Sequence, residues 1–167
     1  GQARLIEAAG RLRGAGIPAE LILVGKGRNE DRLRRLAAAR QVPTRFEIDV
    51  PWETLPDLYR EMNVFAMPSK SRWAGLEVEG LGIVYLEAAA AGLPVIAGDS
   101  GGAPEAVLPA RTGYVTHNDE SLFEALRAVL DDPAKAAAMG ARGRDWVESE
   151  HTWSAVAGRV RQAIESL

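Results

Sequence analysis

The chain has 167 residues, of which 47% are hydrophobic, and a formal net charge of -3. That length is sufficient for one domain with its own core. The absence of cysteine excludes disulfides and thiolate metal sites, and no run of basic residues indicates a nucleic-acid-binding surface. No apolar run reaches the roughly 20 residues that a membrane-spanning helix needs. The composition therefore indicates a cytoplasmic protein with no transmembrane segment and no nucleic-acid partner.

Helices and short apolar strands alternate along the chain. In chain order the sequence predicts a helix at 2–13, a strand at 21–24, a helix at 30–40, a strand at 45–48, a short helix at 52–62, a strand at 64–67, a helix at 81–91, strands at 94–97 and 112–116, and helices at 120–130, 133–150 and 152–166. Strands that are apolar nearly throughout and alternate with helices are typical of a parallel sheet covered on both faces. The predicted fold class is therefore α/β, Rossmann-like, with parallel strands and helices on both faces.

A glycine-broken turn opens the helix predicted at 81–91. It follows a strand, so it should lie at the carboxyl edge of the sheet, where such folds bind ligands. The amides of Gly82, Ile83 and Val84 would have no acceptor within the helix, and the positive end of the helix dipole would point outward. Gly80 and Gly82 would let a ligand approach the backbone closely. This pattern predicts an anion site suited to a phosphate.

Two carboxylates, Glu79 and Glu87, flank this turn in the stretch EGLGIVYLE. Eight residues at helical rise separate them by about 12 Å, which is roughly the span from one sugar to another across a diphosphate. Glu87 would then accept hydrogen bonds from a ribose, and Glu79 from the hydroxyls of a transferred sugar. The paired acids of a glycoside hydrolase lie only about 5–10 Å apart, so the spacing argues against hydrolysis.

The same stretch resembles the acid-x7-acid motif of retaining glycosyltransferases with the GT-B fold, and the following run AAAAGLPVIAGDSGGAPEAV continues as sequences of that family do. The wider run FAMPSKSRWAGLEVEGLGIVYLEA is similar to actinobacterial α-mannosyltransferases, which transfer mannose from GDP-mannose to phosphatidylinositol mannosides. The family resemblance covers nearly the whole chain. It implies that residues 1–167 form a single C-terminal, nucleotide-sugar-binding domain.

The resemblance also implies roles for individual residues. It assigns Glu79 as the catalytic residue that contacts the donor sugar, and Glu87 as the ligand of the ribose. It implies backbone contacts to the donor from Leu81 to Val84, and a nucleotide base resting near Val50. No metal and no cofactor are expected beyond the donor substrate itself.

Three features of that family have no counterpart within this chain. In the family a strand precedes the helix equivalent to 2–13, and its loop carries an Arg and a Lys that neutralise the donor diphosphate. The loop ends in a Gly that corresponds to Gly1, so the resemblance places the strand, both cations and an acceptor-binding N-terminal domain upstream. The strand would lie between 21–24 and 64–67, and the closing helix, 150–167, would pack toward the upstream domain. We therefore expect residues 1–167 to be inactive alone.

The sequence thus predicts a hexosyltransferase domain that uses GDP-mannose and glycosylates a phosphatidylinositol mannoside-type lipid through its N-terminal domain. A peripheral location at the inner face of the plasma membrane would fit such an acceptor. Three alternatives stay open from the residues: a transferase for a UDP- or ADP-linked sugar, a nucleotide-sugar epimerase of similar fold, and a non-catalytic regulatory domain.

Overall fold

The computed structural model describes residues 1–70 and 80–166. The helices and strands are α1 (Gln2–Gly14), β1 (Leu21–Val24), α2 (Glu30–Ala39), β2 (Thr44–Glu47), α3 (Leu55–Glu61), β3 (Phe65–Met67), α4 (Ile83–Ala90), β4 (Val95–Gly98), β5 (Gly113–Thr116), α5 (Asp119–Leu130), α6 (Pro133–Glu150) and α7 (Trp153–Glu165). Short 3-10 turns at Trp52–Thr54 and Ala103–Ala106 precede α3 and follow β4. The predicted α/β class is confirmed, and the predicted bounds agree with these to within two residues, except that α3 begins three residues after the predicted start at 52, where a 3-10 turn lies.

All the described strands pair in parallel, as predicted, but they form two groups. β1 pairs with β2, with Leu21 opposite Thr44. β4 lies between β3 and β5, and its Val95 is opposite both Phe65 and Gly113. Within the described residues no ladder joins β1 to β3. This is the position at which the sequence predicts that an upstream strand inserts, and that insertion stays a prediction.

Helices cover both faces of the three-stranded group, and β4 is therefore buried along its whole length. Its Ile96 side chain packs into a core with buried residues of α1, α2 and α5. The neighbouring Val95 and Ala97 point to the opposite face and pack with α4, including the fully buried Tyr85. This alternation follows from the two-residue period of a strand, which sends successive side chains to opposite faces.

The last helix, α7, lies outside both cores. Thr152 caps it by accepting a hydrogen bond from the amide of Ala155 at 3.2 Å. Its apolar side chains recur at helical spacing, yet Trp153 is 90% exposed, Val160 54% and Ile164 65%. Across residues 1–70 and 80–166, none of the helices has both the length and the hydrophobicity needed to span a bilayer.

The end of β4 is in direct backbone contact with the chain that leaves β3. A Cβ atom built on Gly98 would lie 2.0 Å from the carbonyl oxygen of Ser69 and 2.4 Å from its nitrogen. Real Cβ atoms do not approach backbone atoms this closely, so position 98 has room only for glycine. The contact keeps the segment after β3 next to the carboxyl end of β4.

We predict that Gly98→Ala lowers the free energy of unfolding by about 1–3 kcal/mol, as overpacking of a filled site does. Gly14→Ala is the matched control, because a Cβ at Gly14 meets nothing within 4 Å and the residue is helical. That control should leave stability unchanged or raise it by up to about 1 kcal/mol. Urea unfolding of both variants measures the difference, and equal stabilities would contradict the prediction.

Candidate functional site

Polar side chains collect at the carboxyl ends of the strands. After β1 and β2, the Lys26 ammonium lies 3.5 Å from the Asp49 carboxylate. After β4 and β5, Nδ1 of His117 lies 2.8 Å from a carboxylate oxygen of Asp99. All four side chains are more than half exposed. This edge is where parallel α/β sheets bind ligands.

Arg4, in the first turn of α1, ties three elements together at this edge. Its Nε donates to Asp119 in the first turn of α5, and its Nη1 donates to the carbonyl of Pro68, just after β3, at 3.0 Å. Its other terminal nitrogen, Nη2, is buried and has no partner among the described residues. The hydrogen bond from Arg4 lowers the pKa of Asp119, which keeps this carboxylate ionised. The amino termini of α1 and α5 are thereby held beside the end of β3.

Helix α4 begins at this edge with a glycine in a left-handed conformation. Gly82 is the N-cap, with φ 68° and ψ 66°, and its carbonyl accepts from the amide of Tyr85 at 2.9 Å. The helix starts at Ile83, two residues after the predicted start at Leu81, because the left-handed residue cannot belong to a right-handed helix. The amides of Ile83 and Val84 lie in the first turn and have no acceptor within the helix. The binding of an anion by these amides stays a prediction.

The chain enters this turn through Gly80 and Leu81, which are exposed. A Cβ atom on Gly102, in the turn after β4, would lie 2.6 Å from the carbonyl oxygen of Gly80. The turn after β4 therefore contacts the chain just before α4. Glu79, the predicted catalytic residue, lies outside the described residues, so its predicted distance of about 12 Å from Glu87 stays a prediction.

Glu87 lies one turn into α4 and is half-buried. Its Oε2 accepts a hydrogen bond from the hydroxyl of Tyr59, on α3, at 3.2 Å. Burial, and secondarily the charge of Glu87, raises the pKa of Tyr59. The hydroxyl therefore stays protonated at physiological pH and acts as the donor. Sequence reasoning missed Tyr59, because nothing in the pattern of its short helix relates it to a residue 28 positions later.

Val50, the predicted neighbour of the base, is half-buried and lies three residues after the end of β2. The preceding Asp49 adopts φ 55°, in the left-handed region. Glycine enters this region without a steric cost, and Asp is one of the few other residues that adopt it. The turn before Val50 thus keeps a glycine-like conformation despite the Asp.

Within residues 1–70 and 80–166, no group of three or more His, Asp or Glu side chains is arranged to hold a metal ion. Of the residues predicted to contact a donor, the structure brings together those from Gly80 to Glu87 at the start of α4. Val50 lies separately, after β2.

The sequence of this chain is similar to those of named mannosyltransferases. The chain is 45% identical to the GDP-mannose-dependent monoacylated alpha-(1-6)-phosphatidylinositol monomannoside mannosyltransferase of Corynebacterium glutamicum, over 99% of this chain and 44% of that protein. It is 42% identical to the GDP-mannose-dependent alpha-(1-6)-phosphatidylinositol monomannoside mannosyltransferase of Mycolicibacterium smegmatis, over 98% of this chain and 44% of that protein. The chain therefore spans less than half the length of these relatives.

Solved structures show the same fold. Sucrose-phosphate synthase from Thermosynechococcus elongatus superposes with a TM-score of 0.82 at 28% identity, over 99% of this chain and 42% of that one. Residues 1–146 match the family described as glycosyl transferases group 1. The resemblance inferred from the EGLGIVYLE stretch is thus confirmed, and the chain belongs to the group 1 glycosyltransferase family.

Proposed function

We propose that the chain is the donor-binding domain of a retaining glycosyltransferase that transfers mannose from GDP-mannose to a phosphatidylinositol mannoside-type lipid. The observation that carries this proposal is the similarity along nearly the whole chain to relatives named for this reaction. The site supports it, because α4 combines unpaired first-turn amides with a carboxylate one turn later. These are the groups that a diphosphate and a ribose require.

In this proposal the donor lies along the start of α4. The amides of Ile83 and Val84 hold the diphosphate, and the free oxygen of Glu87 accepts hydrogen bonds from the ribose. Glu79 accepts hydrogen bonds from the mannose hydroxyls, and the base rests near Val50. The backbone of Gly80, Leu81 and Gly82 lies beside the sugar and the phosphates.

The family resemblance supplies the reaction itself. The bond between the anomeric carbon and the diphosphate oxygen breaks, and the acceptor oxygen forms its new bond on the same face of the sugar. The acceptor proton passes to the departing diphosphate, so no protein nucleophile is needed.

The acceptor side of the site belongs to a second domain in this proposal. Two observations support it: the chain spans less than half of its relatives, and α7 presents an apolar row in which Trp153 is 90% exposed. The upstream domain would cover that row and face the start of α4 across a cleft. Alone, residues 1–167 are expected to bind GDP weakly and to transfer no mannose.

The first test concerns Glu87. In the full-length enzyme, Glu87→Ala should weaken GDP binding by about 1.5–3 kcal/mol, because it removes hydrogen bonds to a charged group. Titration calorimetry with GDP measures this, and UDP run in parallel tests the choice of base. Affinity for GDP equal to that of wild type would show that Glu87 does not hold the ribose.

Glu79→Ala should behave differently from Glu87→Ala. Because its proposed partner is the sugar, the variant should bind GDP like wild type and lose most of its transfer rate, by roughly 100-fold or more. Measured mannosyl transfer and GDP affinity together separate the two acids. Loss of GDP affinity with an unchanged transfer rate would reverse the assignment.

The diphosphate contact is tested at the N-cap of α4. Gly82→Ala forces a Cβ into a left-handed conformation at a cost of about 1–2 kcal/mol, and relief of that strain should turn the first-turn amides away from the ligand. We expect weaker GDP binding with little change in the affinity for guanosine. Gly16→Ala is the control, since Gly16 follows α1, outside the predicted donor contacts, and also has a left-handed φ of 84°, while a Cβ there meets nothing within 4 Å. Equal GDP affinities for both variants would contradict the amide contact.

The interdomain role of α7 is tested by removing its most exposed aromatic side chain. In the full-length enzyme, Trp153→Ala should lower the free energy of unfolding by roughly 1–3 kcal/mol, because the partner domain buries the ring. Trp52→Ala is the matched control: its ring is 69% exposed, and its loss should change stability by no more than about 0.5 kcal/mol. Thermal unfolding of the two variants distinguishes them, and equal melting temperatures would argue against a covered α7.

A further inference from the structure

We propose that Tyr59 is a positioning residue for the donor site: its hydroxyl fixes the Glu87 carboxylate in the orientation that receives the ribose. The inference rests on the proposed function, and it adds a residue on a different element, α3, to the machinery that the sequence predicted on α4. Its basis is a side-chain contact and the packing behind it.

The contact divides the two oxygens of the carboxylate between protein and ligand. The hydroxyl of Tyr59 lies 3.2 Å from Oε2 of Glu87. Among the described residues, Oε1 of Glu87 has no donor. A carboxylate accepts hydrogen bonds at both oxygens, so Oε1 keeps its capacity for a ribose hydroxyl while Oε2 is held by the protein.

The hydroxyl is held in place by a row of three aromatic rings. Tyr59 packs edge-on against Phe65 with ring centroids 5.9 Å apart, and Phe65 packs the same way against Tyr85, also at 5.9 Å. Tyr85 is fully buried and donates to the carbonyl of Met67 at 2.7 Å. The row therefore links α3, β3 and α4. Its packing restrains the ring of Tyr59, whose hydroxyl donates to Glu87.

Fixing Glu87 in advance has a direct effect on affinity. A free glutamate side chain loses rotamer freedom when a ligand orders it, and that loss is subtracted from the binding energy. The hydrogen bond from Tyr59 imposes this order before the donor arrives. Phe65 and Tyr85 support the ring of Tyr59, so removing the hydroxyl alone leaves the packing intact.

The experiment is a double-mutant cycle in the full-length enzyme, with GDP and 2′,3′-dideoxy-GDP as probes in titration calorimetry. Tyr59→Phe should weaken GDP binding by about three- to tenfold, the range expected for one newly mobile side chain. It should leave the affinity for 2′,3′-dideoxy-GDP unchanged, because that probe lacks the ribose hydroxyls that would donate hydrogen bonds to Glu87. In the Glu87→Ala background, Tyr59→Phe should cause no further loss.

The control is Tyr114→Phe, because Tyr114 packs with the opposite core and its hydroxyl has no partner among the described residues. It should bind both probes like wild type. Equal weakening of both probes by Tyr59→Phe would overturn the inference in favour of a purely structural role. If Tyr59→Phe binds GDP as tightly as wild type while Glu87→Ala binds it more weakly, the inference about Tyr59 is overturned and the ribose assignment of Glu87 stands. Unchanged affinity for Glu87→Ala would overturn the ribose assignment beneath it.

Discussion

The candidate site depends on close backbone contacts between the end of β4 and the chain on both sides of residues 71–79. Gly98 contacts Ser69, where the chain leaves β3, and Gly102 contacts Gly80, where the chain approaches α4. Neither position has room for a Cβ atom. Together the two contacts fix where the chain departs and where it returns. The amino terminus of α4 is thereby held at the carboxyl edge of the sheet.

Helix α4 then acts as the platform for the remaining groups. Tyr85 anchors the helix to β3 through its buried ring and its hydrogen bond to the carbonyl of Met67. Gly82 ends the preceding turn in a left-handed conformation, which directs the chain into the helix and leaves the first-turn amides unpaired. Glu87 lies on the same helix and meets Tyr59 from α3. Helix α4, anchored to β3, therefore presents both the positive end of its dipole and the carboxylate oxygens of Glu87.

Several features of the fold were predictable because they depend on local patterns. The apolar runs at β1 and β4 have the length and composition of buried strands, and the alternation with helices implies parallel pairing. The start of α4 was predicted two residues early, since helical periodicity continues through Leu81 while the left-handed Gly82 sets the boundary. A backbone conformation of this kind has no periodic signal. The residue type alone suggests it.

By itself the sequence determined the fold class, the place of Glu87 on the helix after a glycine turn, and the membership of the family, because each is encoded in residues close together along the chain. Only the tertiary structure decided that the strands form two groups, that Asp49 takes the conformation of a glycine, and that Tyr59 donates to Glu87. The reason is physical: the hydrogen bond joins residues 28 positions apart, on two helices separated by β3. Such a contact exists only after both helices have packed against the strand between them, and no local pattern records it.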